Sequence, residues 1–217
     1  MVAIDGPAGA GKSTVAWQVA ERLGFVRVDT GALYRAVGLI ALERGVSLED
    51  GPALGKLSSE LDLAFVEGPS GPRLTVNGAD REDDLRTPDV ADAASKVSAL
   101  PEVRSALLEA QRQMGADGGV VLEGRDIGTV VFPDAEVKVF LTASAEARAR
   151  RRLRDLEERG VHSTYEDVLA AMQARDTRDS SREHAPLKPA EDATVVDSTT
   201  MSQDAVVAHI AALADEH

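Results

Sequence analysis

Residues 6–13 read GPAGAGKS, and this stretch decides the fold. Its glycines, followed by a lysine and a serine, have the spacing of a phosphate-binding loop, which needs a strand before it and a helix after it. VAID (2–5) has the apolar character of a buried strand, and KSTVAWQVAERLG (12–24) has helical periodicity. The sequence therefore predicts the strand–loop–helix unit of a P-loop protein.

Each residue type in this loop has a chemical reason. Glycines allow unusual backbone angles and let N–H groups approach phosphate oxygens closely. We expect Lys12 to reach the β- and γ-phosphates of ATP, and the Ser13 hydroxyl to ligate Mg²⁺ together with ATP phosphates and water. Trp17, on the following helix, is expected in the core. The candidate ATP-binding residues are Gly6, Pro7, Ala8, Gly9, Ala10, Gly11, Lys12, Ser13 and Thr14.

Further strands and helices alternate with this unit along the chain. Near-continuous apolar strands between helices are typical of a parallel sheet covered on both faces. The last helix is expected to open with a capping box, Thr200-x-x-Gln203. We predict an α/β fold of the P-loop NTPase type with a five-stranded parallel sheet flanked by helices. Its other strands are FVRVD (25–29), VVLEG (120–124), VKVFL (137–141) and TVVD (194–197), and its other helices are about 31–44, 145–159, 165–183 and 202–214.

The middle of the chain breaks this alternation. LDLAFV (61–66) and RLTVNG (73–78), joined through GPSG, predict an antiparallel hairpin, and Thr87-Pro88 opens a helix as N-cap and first helical residue. Another helix is predicted at about 101–114. We therefore predict a core of residues 1–59 and 106–217, a small α+β insertion at 60–105, and a short helical lid at about 148–163.

Composition limits the partners of the protein. The net charge is −13 and the sequence pI about 4.7, which argue against nucleic acid or an anionic membrane as a partner. An anionic ligand then needs concentrated local positive charge. The chain has no cysteine, so disulfides and thiolate chemistry are excluded, and no apolar run approaches 18 residues. We expect a cytoplasmic protein.

The P-loop alone leaves the phosphate acceptor open. The sole asparagine, Asn77, precedes Gly78, so the Asn-Lys-x-Asp motif of GTPases is absent. A mechanical ATPase usually has an apolar strand ending in Asp, whereas VVLEGRD (120–126) carries an arginine between its acids. These observations favour a small-molecule kinase, and the alternatives for its acceptor include different nucleotides, shikimate and dephospho-coenzyme A. A module that senses ATP without transferring phosphate is the alternative from another class.

Arginines near predicted strand ends suggest a second anion site. Arg35 follows DTGALY (29–34), and Arg125 follows the third predicted strand, at the edge where open α/β sheets bind ligands. Arg175, Arg178 and Arg182 have the spacing i, i+3 and i+7, which predicts one stripe of a helix. The alternative for Arg175, Arg178 and Arg182 is an exposed helix face with ion pairs to nearby acids, and the alternative for Arg35 and Arg125 is a surface salt bridge.

A second arginine cluster lies at 148–154. It precedes ERG (158–160) and is typical either of a mobile lid helix or of a basic, solvated helix face paired with nearby acids. Arg151 and Arg152 are the candidate lid residues.

Five motifs in order, GPAGAGKST, DTGALYRA, AASKVSALPEVR, GRDIGTVVFPDA and RDTRDSSREHAPL, resemble those of the bacterial cytidylate (CMP/dCMP) kinases. The resemblance covers 2 to about 202, and it implies that the insertion at 60–105 is a nucleoside-monophosphate-binding domain. It implies that Ser95, Arg104 and Asp126 read the cytosine. It also implies that the acceptor phosphate is held by Arg35, Arg125 and Arg182, and the pentose by Arg175 and Asp179. Thr30 stands where Ser is common, and Glu123 where Asp often does.

The implied reaction is ATP + (d)CMP → ADP + (d)CDP in a monomer. A phosphate acceptor is mostly ionised at pH 7 because its second pKa is about 6. No general base is then required, so Asp126 is assigned to base recognition. Catalysis consists of in-line positioning and neutralisation of charge by Mg²⁺, Lys12, Arg35, Arg125 and Arg182.

Overall fold

The computed structural model describes residues 1–66, 68 and 71–216. The chain forms two compact units, one of Met1–Arg27 with Gly118–His217 and one of Val28–Asp117. In chain order the elements are β1 (Val2–Asp5), α1 (Lys12–Leu23), β2 (Val26–Asp29), α2 (Thr30–Arg44), α3 (Gly51–Glu60), β3 (Leu63–Val66), β4 (Arg73–Val76), β5 (Ala79–Asp80), a 3₁₀ turn (Asp84–Arg86), α4 (Pro88–Val97), α5 (Pro101–Met114), β6 (Val120–Gly124), a π-helical turn (Ile127–Val131), β7 (Val137–Thr142), α6 (Ala145–Glu158), α7 (Tyr165–Ser180), β8 (Thr194–Asp197) and α8 (Gln203–Asp215).

One sheet has five strands in the order β2-β6-β1-β7-β8, and β6, β1, β7 and β8 belong to the first unit. β1 pairs in parallel with β6 and β7, so that Val2 faces Val121 on one side and Val137 on the other. All four residues of β1 are buried, because helices cover both faces of its apolar sequence. The predicted α/β fold with a five-stranded parallel sheet is confirmed.

Helix α1 follows the P-loop and packs on this sheet. It begins after Gly11 and ends at Gly24, both in the left-handed backbone region with φ of 94° and 67°. The expectation that Trp17 lies in the core is wrong, since the residue is 37% exposed. The buried face of α1 is set by Val15 and Val19, and residue 17 falls on the opposite side of the helix.

The second unit combines four helices, α2 to α5, with an antiparallel sheet of order β3-β4-β5. Leu63 pairs with Val76, which confirms the predicted hairpin, although residues 67, 69 and 70 of its connection lie outside the described residues. The cap at Thr87 is also confirmed, because its side chain accepts a hydrogen bond from Val90 N at 3.3 Å. The predicted insertion at 60–105 falls within this unit, and its domain boundaries and those of the lid stay predictions.

Two helix starts differ from the sequence expectations. Helix α3 was not expected; it begins at Gly51-Pro52, where Asp50 caps it by accepting a hydrogen bond from Ala53 N at 3.0 Å. The prediction of a capping box at Thr200 is wrong, because α8 is capped by Ser202, whose hydroxyl accepts a hydrogen bond from Ala205 N at 3.2 Å. Across the described residues, we find no helix with the length and apolar character to cross a membrane.

Candidate active site

The P-loop connects β1 to α1 with its glycines in unusual conformations. Gly6 has φ of 149°, and a Cβ there would lie 1.9 Å from the Leu141 carbonyl oxygen of β7. Gly9 has φ of 73°, and a Cβ there would lie 2.7 Å from Met172 Cε and 3.2 Å from Arg148 Cβ. The loop is therefore held against β7, α6 and α7; a side chain at Gly6 would clash with the β7 backbone, and one at Gly9 would strain the loop.

Lys12 is buried at the start of α1. Its Nζ donates a hydrogen bond to the Pro7 carbonyl oxygen at 2.9 Å, within the loop itself. Burial, with the Arg125 and Arg175 guanidiniums, lowers the pKa of Lys12 to about 7, although Glu123 and Asp5 act in the opposite direction. The loop thus holds an ammonium group that lacks enough nearby negative charge, and a polyphosphate would supply it.

Ser13 lies beside a buried carboxylate from β6. Its hydroxyl donates to Glu123 Oε2 at 2.8 Å, and the other carboxylate oxygen accepts from Arg27 Nε at 3.1 Å. Sequence reasoning missed Arg27, whose signal was a basic residue between the two valines of a short strand. The hydroxyl and carboxylate oxygens are hard ligands of the kind that Mg²⁺ prefers. The residues present at Ser13 therefore fit a magnesium ion.

Asp5, the last residue of β1, holds the segment that follows β6. Its two carboxylate oxygens accept hydrogen bonds from Ile127 N and Gly128 N, each at 2.8 Å. Burial raises the pKa of Asp5 to about 6 despite these two N–H donors. The sequence signal that could have revealed it was an acid ending a fully buried strand. Asp5 thereby fixes the backbone next to Arg125 and Asp126.

Three predicted arginines meet on one buried carboxylate, that of Asp179. Arg125 Nε lies 3.0 Å from Asp179 Oδ2 and Arg175 Nε 3.7 Å from it, while Arg182 donates to Oδ1. Burial alone would raise the pKa of Asp179, but the Arg125, Arg182 and Arg175 guanidiniums outweigh it and hold that pKa below its usual value. We call Arg125, Arg175, Asp179 and Arg182 the arginine cluster.

Arg182 belongs to the arginine cluster, but it lies beyond the end of α7 and not on the predicted stripe of the helix. Helix α7 ends at Ser180. The prediction that the helix continues to about 183, and that Arg182 lies on its stripe at i+7, is therefore wrong. The following segment returns along the helix end, because Leu187 N donates to the Asp179 carbonyl oxygen at 2.9 Å. A turn, which periodicity does not detect, therefore places this arginine.

The basic stretch of α6 is partly internal. Arg148 is 5% exposed and donates to the Ala8 carbonyl oxygen at 3.1 Å. Arg151 donates to the Ala10 carbonyl oxygen at 3.3 Å and to the Ser198 carbonyl oxygen at 2.6 Å. A solvated helix face is thus the wrong interpretation for these two arginines. Contacts of Arg151 and Arg152 with ATP stay a prediction.

In the second unit, Arg35 lies one turn into α2 and forms an ion pair with Asp29 at 2.7 Å. No loop separates β2 from α2, so Asp29 serves as the residue before the helix and Thr30, 2% exposed, as its first residue. Sequence reasoning did not include Asp29 in the site. Its carboxylate holds the Arg35 guanidinium at the start of the helix.

Ser95 and Arg104 are also brought together in this unit, through Ser98. Arg104 donates to the Ser98 carbonyl oxygen at 3.2 Å, and the Ser98 hydroxyl donates to the Ser95 carbonyl oxygen at 3.1 Å. The Arg104 guanidinium lies 5.7 Å from the centre of the Tyr34 ring. Sequence reasoning missed Tyr34, which orients this arginine by a cation–π contact.

A family model described as cytidylate kinase matches residues 2–216. The chain belongs to the cytidylate kinase family. It is 46% identical over 217 residues to a protein named cytidylate kinase of Pasteurella multocida (strain Pm70), covering 100% of this chain and 96% of that one. It is 51% identical over 207 residues to a protein of the same name from Geobacter sp. (strain M21), covering 95% of this chain and 89% of that one.

A solved structure, a gluconokinase from Sinorhizobium meliloti 1021, covers 99% of this chain and 91% of its own, with a TM-score of 0.50 and 16% identity. That likeness concerns the fold alone. Membership of the cytidylate kinase family agrees with the resemblance found in the five sequence motifs.

Proposed function

We propose that the protein transfers the γ-phosphoryl group of ATP to CMP and dCMP, forming CDP and dCDP by in-line transfer. The observation that carries this proposal is a P-loop with a buried lysine in the same unit as three arginines gathered on Asp179. Two polyanions bound near each other need such positive charge, and the overall charge of −13 does not provide it. Family membership supplies the identity of the acceptor.

The ATP phosphates are proposed to bind along residues 6–14. The N–H groups of a loop at the start of a helix favour anions, and the α1 dipole adds to this. Lys12 then moves from the Pro7 carbonyl oxygen to the β- and γ-phosphates. Arg151 already contacts the carbonyl of Ala10, which supports a place for it, with Arg152, beside the bound ATP.

The acceptor is proposed to bind through the residues that the family resemblance implies. Asp126 accepts a hydrogen bond from the cytosine N4 amine, while Ser95 and Arg104 donate to N3 or O2. Arg125 and Arg182 are already oriented by Asp179 and need little ordering to hold the phosphate. The residues proposed to bind CMP are Thr30, Arg35, Ser95, Arg104, Arg125, Asp126, Arg175, Asp179 and Arg182.

Magnesium is proposed to bind at Ser13, with ATP phosphates and water, and with Glu123 behind the hydroxyl. When bound, the ion neutralises charge on the transferred phosphoryl group. The chain itself positions the two substrates and excludes water. The acceptor phosphate needs no base because it is largely ionised at neutral pH.

Activity with a panel of acceptors tests the proposal. ADP release from Mg-ATP is measured with CMP, dCMP, UMP, AMP, GMP or shikimate. We expect strong activity with CMP and dCMP, at least about 10-fold lower kcat/KM with UMP, because uracil turns its O4 toward the Asp126 carboxylate, and none with the others. EDTA should abolish transfer and added MgCl₂ restore it.

Asp126→Asn sharpens this test, because an amide can donate to uracil O4. The ratio of CMP to UMP activity should fall about 10-fold in this variant. Activity confined to another acceptor would remove the roles of Ser95, Arg104 and Asp126. ATP binding without transfer to any acceptor would favour an ATP sensor instead.

We also propose a cytoplasmic monomer that binds neither nucleic acid nor membranes. Its nucleotide substrates are cytoplasmic, and a net charge of −13 repels polyanionic surfaces. Sedimentation velocity with and without ATP and CMP should give a single species near 22.9 kDa. A species of twice that mass would contradict the monomer.

A further inference from the structure

Arg148 occupies an unusual place for an arginine in a stretch of basic helix. Arg148 is only 5% exposed, and its guanidinium contacts three different segments of the chain. Nε donates to the Ala143 carbonyl oxygen at 2.9 Å and NH1 to the Ala8 carbonyl oxygen at 3.1 Å, while NH2 lies 2.7 Å from Asp176 Oδ2. The planar guanidinium of an arginine can donate to acceptors in several directions, whereas a lysine carries its donors on a single nitrogen atom.

The contact with Ala8 lies within the P-loop. At the neighbouring position, Gly9, an added Cβ would lie 3.2 Å from Arg148 Cβ and from the Arg148 carbonyl oxygen. Arg148 thus packs against the loop and also bonds to it. The guanidinium is a hydrogen-bond donor and binds a carbonyl oxygen of the loop. It therefore does not compete with phosphate for the N–H groups of the loop.

The partner of Arg148 is part of the helix that carries two members of the arginine cluster. Asp176 follows Arg175 directly and precedes Asp179 by one turn of α7. The Arg148–Asp176 pair therefore connects the P-loop to the element that presents these two residues. All of these residues belong to the first unit.

Stability alone does not account for this pair. The Arg148 side chain is 7% exposed and the Asp176 side chain 24%, and an ion pair withdrawn this far from water recovers only part of its desolvation cost. Asp176 Oδ1 is also buried and has no hydrogen-bond partner among the described residues. Buried polar atoms are nearly always hydrogen-bonded, so exceptions point to a role other than stability.

We propose that Arg148 and Asp176 are positioning residues that fix the P-loop relative to α7 and thereby align the donor phosphate with the acceptor. The inference rests on the proposed kinase function. A misplacement of about 1 Å can reduce a rate about 100-fold without loss of binding. The pair therefore affects kcat more than it affects KM.

The kinetic test uses Arg148→Lys and Asp176→Asn, which preserve size. We expect kcat to fall about 10- to 100-fold in each, with KM for ATP and CMP changed by less than about 3-fold. The double variant should be hardly slower than either single one, because both remove the same connection. The controls Arg22→Lys and Asp134→Asn change exposed residues and should leave kcat as it is.

A second measurement does not depend on activity. Hydrogen exchange of the ligand-free protein should be about 10-fold faster at the amides of residues 8–10 in Asp176→Asn, and unchanged in Asp134→Asn. Unchanged exchange together with unchanged kcat, or a raised KM at unchanged kcat, overturns the positioning role. If the wild-type protein transfers no phosphate, the proposed function fails, and loop exchange still decides whether the pair orders the P-loop.

Discussion

Lys12→Met is expected to lower kcat about 1000-fold and, at the same time, to raise the thermal stability of the ligand-free protein. The loss of activity follows because Lys12 is the P-loop cation proposed to neutralise the transferred phosphoryl group. The gain in stability follows because burial lowers the pKa of Lys12 to about 7, which means that the folded protein disfavours the charged form. Steady-state kinetics and thermal unfolding measure the two effects.

Lys56→Met is the matched control for this variant. The Lys56 side chain is 79% exposed and lies 3.8 Å from Glu60, so neither activity nor stability should change appreciably. A fall in kcat smaller than about 10-fold in Lys12→Met would contradict the catalytic role of this lysine. A lower unfolding temperature would contradict the conclusion that the buried charge of Lys12 destabilises the folded protein.

Asp179→Asn is expected to destabilise the protein by about 3 kcal/mol and to weaken CMP binding about 100-fold, with a smaller effect on ATP. The Asp179 side chain is 0% exposed and is the shared partner of Arg125, Arg175 and Arg182. An asparagine leaves these guanidiniums without their negative charge, so they repel one another. Urea unfolding and titration calorimetry with CMP measure the two effects.

The pH dependence of unfolding gives an independent check on Asp179. Its pKa in the folded protein lies below the value of 3.8 for an unperturbed aspartate. The unfolded chain therefore binds the proton more readily, and the stabilisation present above that value is lost as the pH falls through the folded pKa. Wild-type stability should drop in this acidic range by more than that of Asp179→Asn.

Asp80→Asn serves as the matched control for Asp179. Asp80 also binds an arginine, Arg73, with Nε 2.6 Å from Oδ2, but its side chain is 47% exposed. An exposed ion pair contributes little, so this variant should unfold almost as the wild type does. Equal effects of the two substitutions would show that burial of Asp179 among arginines has no special importance.

Local patterns were enough for most elements of the first unit. The P-loop and the strands 2–5, 120–124 and 194–197 have the predicted bounds, because a glycine-rich turn and a short apolar strand are each specified by neighbouring residues. Local patterns failed for α3, whose opening Gly51-Pro52 is typical of a turn, and for Trp17, whose exposure depends on which face of α1 meets the sheet.

The sequence by itself determined the α/β fold, the P-loop and, through its ordered motifs, membership of the cytidylate kinase family. Only the tertiary structure decided which charges meet. Arg125 and Asp179 are 54 positions apart, Asp5 and Ile127 are 122 apart, and Arg148 and Ala8 are 140 apart. Helical and strand periodicity relates residues a few positions apart, whereas these contacts form only when the packed sheet and helices bring distant segments together.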